Sequence, residues 1–584
     1  MLTSLCQWIL IASLGQAPSE AALLKAAPAD VDVAFRVRGL EATRDEVLAM
    51  IKEMNPEWGN MAEGVLSGPL DQIRTNHGAH AVKSPFLALM RLGDEGGDGG
   101  PPPLAIVLPS EDYPGTLKEL MGGHAVELKH EDGGYDAFDG PGGHGTWYAA
   151  KGAGIVAFGT SKGLIADIAK RGGKSLDSVV TGPVARAFLG GDVGVYINAS
   201  SLTLRYAEQI DQGRQMFMGL LDQAGQQAGN ASAMQFAKDI YGGLFDSLKY
   251  ADGLTLDLDF AEKGLHLAGF LKVKPDSDAA KAIADVRTGE IGVIGHLPPG
   301  GMAYTYMNVG AKTFDRLEGM SLKMIAGAGK PSPAMEKAMA EFHGLGRIES
   351  LGSVSMDKGM RSINDIKTDD PKKLIEKSLD LMRAMGGASG PEGLYKEIKV
   401  DPAAQTRDGM TFTHVAATIN MDKLAELSGN NPAQVETMKS MFGDGRMNVW
   451  FGTDGKRLLK VVAPRWDEAG ALIDAYLKGG GGIGQTAGFK TVLTELPSRA
   501  SFLLLFNTQD LVRMTATQFA AITKNADLKA PEDVPKEPAY LGVALTPRAS
   551  EGFEFHLVVP SPVGTVVSKG LIPIIQALSG AGAN

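Results

Sequence analysis

Residues Gly253–Val286 read GLTLDLDFAEKGLHLAGFLKVKPDSDAAKAIADV. Leu254, Leu256, Leu258 and Phe260 alternate with Thr255, Asp257 and Asp259, the period of two expected of a strand with one apolar and one polar face. Glu262-Lys263-Gly264 supplies a hairpin turn, because glycine takes the positive φ that such a turn needs. The alternation resumes in Leu265, Leu267, Leu271 and Val273, which predicts an antiparallel pair. Pro275 ends the second strand. Asp276 or Ser277 can accept a hydrogen bond from a first helical turn, and Ala279, Ala280, Ile283 and Val286 then recur at helical spacing.

The same passage from strand to capped helix recurs along the chain. Pro28-Ala29-Asp30 precedes VDVAFRV, Gly191-Asp192 precedes VGVYIN, Leu297-Pro298-Pro299 precedes GGMAYTYMN, and Leu496-Pro497-Ser498 precedes RASFLLLFN. Helices are expected after each, over Thr43–Ile51, from Ser201 to Leu248, over Lys312–Ile325 and over Asp510–Ile522. Asp370-Pro371 marks a helix start, since aspartate caps and proline fits the first helical position. Asn420 and Asp467 mark two more. Further hairpins are expected around Phe86–Leu108, Trp147–Phe158, Leu351–Ile366, Val449–Val462 and Tyr540–Val559.

The order of these pieces is the same before and after a boundary near Thr288–His296. The expected fold is therefore α+β, with large, mainly antiparallel sheets, helices packed on one face, and two similar halves at 22–290 and 291–584. Offsets between matching pieces drift too much for a solenoid of fixed period.

Composition narrows the function. The chain has 584 residues, 44% hydrophobic and 21% charged, which is globular and too long for one ordinary core. Its 68 acidic residues outnumber 57 basic ones, giving a net charge of -11 and no general attraction to nucleic acid. Leu5–Leu14 is an apolar run of the length of a signal-peptide core, although MLTS carries no Lys or Arg. A leader over 1–21 is expected: cleavage after Ala17 would place the disfavoured Pro18 next, whereas Ser19-Glu20-Ala21 offers small residues at the right spacing. Either cut removes Cys6, the single cysteine, so the mature chain has no disulfide and no thiolate site. No later stretch is long and apolar enough for a transmembrane span. Export to the periplasm or cell envelope follows.

Signals of chemistry are few. Gly159-Thr160-Ser161-Lys162-Gly163 fits a nucleophile elbow, with a strand before it and a helix after it. The same residues form an ordinary helix cap, and the surrounding hairpins lack the parallel sheet of a hydrolase. A base would have to come from a histidine such as His296, His343, His414 or His556. His77 and His80, and His124, His130 and His144 with Asp132, Asp136 and Asp139, have residue types that suit a divalent metal, but no HExxH sets a ligand count. Gly93–Pro103 and Gly479–Gly484 read as linkers; the second lacks the lysine of a phosphate loop. No catalytic, cofactor-binding or metal-ligating residue is assigned. Methionines along Ser201–Leu248, with Ala237, Ile240, Tyr241, Leu244 and Leu248 on one face, suit either a core or a groove for apolar ligands.

The unit WYAAKGAGIVAFGTSKGLIADI and the unit LPSRASFLLLFN, with the Pro-Ala-Asp opener, resemble a family of exported bacterial proteins known as a domain of unknown function. That resemblance implies export and an α+β build, and it carries no catalytic residues. The expected function is a non-catalytic envelope protein acting as a binding or structural module, with an envelope component or an apolar ligand as partner. The alternatives are a carrier of lipid or another apolar ligand, and a hydrolase using Ser161.

Overall fold

The computed structural model describes residues 20–92, 103–140, 145–170, 172–228, 242, 249–314, 333–342, 345–356, 359–387, 395–427, 442–443, 445–479, 481–523, 534–549, 551–574 and 576. Most of the Gly93–Pro103 linker, the expected helix beyond Phe314, the methionine-rich segment beyond Ala228, Cys6, His144 and His343 lie outside these residues. The chain divides into two compact units, 1–207 with 251–272, and 208–250 with 273–584.

In the first unit the strands are β1 (Val33–Val37), β2 (Phe86–Met90), β3 (Leu104–Pro109), β4 (Lys129–Glu131), β5 (Tyr135–Asp139), β6 (Thr146–Lys151), β7 (Ile155–Gly159), β8 (Val193–Ile197), β9 (Ala251–Ala261) and β10 (Gly264–Val273). They lie in the order β10-β9-β8-β1-β2-β3-β7-β6-β5-β4. The second unit has β11 (Gly289–Glu290), β12 (Ala303–Val309), β13 (Ile348–Ser355), β14 (Arg361–Thr368), β15 (Tyr395–Arg407), β16 (Met410–Ile419), β17 (Arg446–Thr453), β18 (Arg457–Val462), β19 (Arg499–Ala500), β20 (Phe502–Asn507), β21 (Tyr540–Arg548) and β22 (Gly552–Pro560). Here the order is β22-β21-β20-β12-β13-β14-β18-β17-β16-β15, with β11 and β19 paired separately.

These two orders share one pattern of pairings, with main-chain bonds at matching places. Asp32 N–H donates to the Met90 carbonyl and Asn198 N–H to that of Asp32; Met302 donates to Val354 and Asn507 to Met302. Asn198, just after β8, and Asn507, the last residue of β20, each accept from a backbone N–H of the helix that follows.

Local rules place the helix starts. Ser277 accepts from Ala280 N–H at 3.1 Å, Asp370 from Lys373 at 2.9 Å and Asn420 from Lys423 at 3.4 Å. Asp467 instead lies inside its helix, Trp466–Lys478, where it meets the Arg465 guanidinium.

Each sheet has one thoroughly buried face. In the first unit Ala34, Leu87, Leu89, Ala105, Val107, Tyr196 and Phe270 pack with the helices Glu20–Ala26, Lys162–Lys170 and Gly182–Leu189. In the second, Tyr304, Tyr306, Leu351, Ile363, Leu459, Val461, Leu503 and Leu505 pack with Trp466–Lys478 and Ala487–Thr494. Helical cover is not confined to that face. Leu108, Phe138, Ala149, Val156 and Phe158 meet the helix Tyr113–Leu120, and Leu458, Val462, Val449 and Phe451 meet Pro371–Gly387 on the opposite side.

The expected wet and dry faces of β9 are exchanged. Thr255 is 1% and Asp257 6% exposed, whereas Leu254, Leu256 and Leu258 are only half-buried. The helices Gly182–Leu189 and Ala199–Arg205 pack against β9. Thr255 is satisfied by donating to the Phe270 carbonyl. Alternation shows that two faces differ, and the helices settle which one is covered.

Candidate functional site

Ser161 follows β7 and opens the helix Lys162–Lys170. Its side chain is buried, with the residue 1% exposed, and its Oγ accepts from Leu164 N–H at 3.2 Å. A hydroxyl spent on a helix cap inside the core is not presented to a substrate. Of the proposed bases among the described residues, His414 stacks on Trp450 with centroids 4.9 Å apart and contacts Asn448 Oδ1, His556 contacts Glu554, and His296 is exposed.

Among the described residues no three His, Cys, Asp or Glu side chains gather as a metal site. His77 Nδ1 faces the Leu120 carbonyl at 2.6 Å and His80 Nε2 that of Pro109 at 2.9 Å, so both rings tie helices to neighbouring backbone. His130 meets Asp136. In the glycine run, Gly482 and Gly484 pack on Gly295: a Cβ on Gly482 would lie 2.1 Å from the Gly295 carbonyl oxygen, whereas Gly479 and Gly481 face open space. A cleft of about 900 Å³ in the first unit is bordered by Ala26, Pro28, Ile155, Ile168, Lys174 and Asn198. Two further bordering acids, Asp30 and Asp167, are already held by Arg91.

The less covered sheet faces carry the unusual chemistry. In the first unit one crosswise row runs Leu256, Val195, Phe35, Ala88, Ile106, Phe158 through β9, β8, β1, β2, β3 and β7. Every member is apolar, and Phe35 is 39% exposed. In the second unit the corresponding row, through β21, β20, β12, β13, β14 and β18, is Val543, Leu504, Thr305, Gly352, Asn364, Lys460. Where the first unit has Phe35, Ile106 and Phe158, the second has a hydroxyl, a carboxamide and an amine.

The side chains of Thr305, Asn364 and Lys460 are half-buried and have no hydrogen-bond or ion-pair partner among the described residues. The Lys460 stem lies between Leu458 and Val462 on the side covered by Pro371–Gly387. Burial there pulls its amine below the usual lysine range. Asn364 lies over Gly352, its Oδ1 filling the space a side chain would take there; a Cβ on Gly352 would sit 2.1 Å from that oxygen. To one side, Phe502, Leu504, Phe506, Leu541, Val543, Leu545, Phe555 and Leu557 are half-buried and join none of the hydrophobic clusters of the described residues. The first unit shows the same at Val193, Val195, Ile197, Leu254, Leu256 and Leu258.

Sequence reading passed over Lys460, Asn364 and Thr305. The available signal was a lone charge in the apolar run Leu458–Val462, opposite a phenylalanine in the other half. No protein-family model, curated protein or solved structure matches this chain. Among the described residues no helix is long and apolar enough to cross a membrane.

Proposed function

We propose that the chain is a non-catalytic binding protein that holds an elongated apolar ligand against its partly covered sheet faces. The observation that carries this reading is the half-buried apolar surface of β8 and β9 in one unit and of β20 to β22 in the other, outside the core clusters of the described residues. Contiguous apolar surface of this kind is the usual mark of a binding site. An acyl chain laid on it would gain about 0.8 kcal/mol per buried methylene. The shared pairing order supports an internal duplication, with the binding face present in both copies.

The leader-like run at Leu5–Leu14 supports export to the cell envelope, where lipids and other apolar ligands abound. Cleavage after Ala17 fits better than after Ala21, because Glu20 pairs with Arg36. The protein should be purified from its native envelope without detergent and extracted for lipid mass spectrometry. A stoichiometric apolar compound is expected. A ligand-free protein that also fails to take up an apolar fluorophore would remove the proposal.

A further inference from the structure

We infer that Lys460 and Asn364 receive the carboxylate of a fatty acid, whose chain runs across Gly352 and Thr305 onto the apolar surface of β20 and β21. This inference rests on the binding function proposed above and adds the chemical class of the ligand.

Three observations converge on it. First, the fold does not require these polar groups. The same register positions in the first unit hold Phe35, Ile106 and Phe158, so a wholly apolar row is compatible with the identical ladder. Second, two donors stand side by side, Lys460 and Asn364 on neighbouring strands. An ammonium, a carboxamide and a hydroxyl stand along one line on one face, with only the glycine between Asn364 and Thr305. None of the three has a partner among the described residues, and a half-buried amine without one is held at a disadvantage that an anion removes. One cation calls for one negative charge, which a carboxylate carries. Third, the apolar half of the ligand has a place to go. Four inter-strand steps separate Lys460 from Leu504, about 19 Å at the usual strand spacing, a span that suits a long acyl chain. Leu504 and Val543 continue that path.

The test uses the full chain and cis-parinaric acid, whose fluorescence rises in apolar surroundings, beside its methyl ester. The acid is expected to bind about tenfold more tightly than the ester. Lys460→Met should abolish that preference, so that acid and ester bind equally well. Lys460→Arg, which keeps the charge, should retain most of it, and Asn364→Leu should weaken acid binding by a few-fold. Thermal melts establish that each variant is folded; should Lys460→Met not fold, Lys460→Gln takes its place. Oleate should displace the probe, and phosphatidylglycerol vesicles should not. Equal binding of acid and ester, unaffected at residue 460, overturns the carboxylate anchor and leaves the apolar-ligand function standing. Failure of both probes to bind removes both. Displacement by phosphatidylglycerol but not by oleate overturns the assignment to a carboxylate.

Discussion

Arg36 donates through both Nε and Nη2 to a single carboxylate oxygen, Oε1 of Glu20, while the residue itself is 2% exposed on the buried face of β1. Its Nη1 donates to the Gly191 carbonyl. A guanidinium so placed depends on its counter-charge, because desolvating an unpaired cation costs far more than the pair returns. Glu20→Gln is expected to lower unfolding stability by about 3 kcal/mol, measured by urea denaturation. Arg36→Met in the same background should recover much of the loss. A neutral Glu20→Gln would contradict this account of the pair.

Ser161→Ala tests the helix cap against the nucleophile. Loss of the bond to Leu164 N–H should cost about 1 kcal/mol. Turnover of p-nitrophenyl esters by the purified protein should be the same with and without the hydroxyl. A variant as stable as the parent that has lost ester hydrolysis would reverse the assignment.

Asp257 gives the first unit a pH dependence of unusual sign. Burial first, then Asp259 and Asp192, push its carboxyl up to about 6 from 3.8, against the lowering effects of Gly191 N–H and Arg36. The folded chain therefore keeps a proton that the unfolded chain releases, and the group opposes folding more as pH rises from 4 through 6. Asp257→Asn should be more stable than the parent at pH 7 to 8, by on the order of 1 kcal/mol. The difference should vanish below pH 4. Chemical denaturation across this range would decide it; a constant difference would count against a titrating Asp257.

Glu554 behaves in the opposite way. His556 above all, and Arg548 after burial is set against them, hold its carboxyl down to about 2 from 4.5. Its stabilising effect is fully present above pH 4.5 and is lost as pH falls through 2. Glu554→Gln should cost about 1–2 kcal/mol at pH 7 after solvent screening. At pH 2 the two proteins should melt close together, and an equal gap at both pH values would refute the pairing.

The strands and many helix starts were legible because each is a local matter: alternation over Leu254–Phe260, glycine at 264, and a side-chain acceptor at Ser277, Asp370 or Asn420. Burial of Thr255 and Asp257 was not, since the helices packed on β9 are distant in sequence. The polar row was still harder to see. Thr305, Asn364 and Lys460 have nothing in common along the chain, and only the registers of β12, β13, β14 and β18 bring them into one line. Ser161 illustrates the converse: its pentapeptide suits two roles, and burial distinguishes them.

The corresponding rows of the two units have one further consequence. Backbone bonding at these positions is indifferent to what the side chains are, since phenylalanine and lysine occupy the same place in ladders of the same register. Such a line of residues is a cassette: its chemistry can be rewritten, by mutation or by design, while the scaffold that presents it stays as it is.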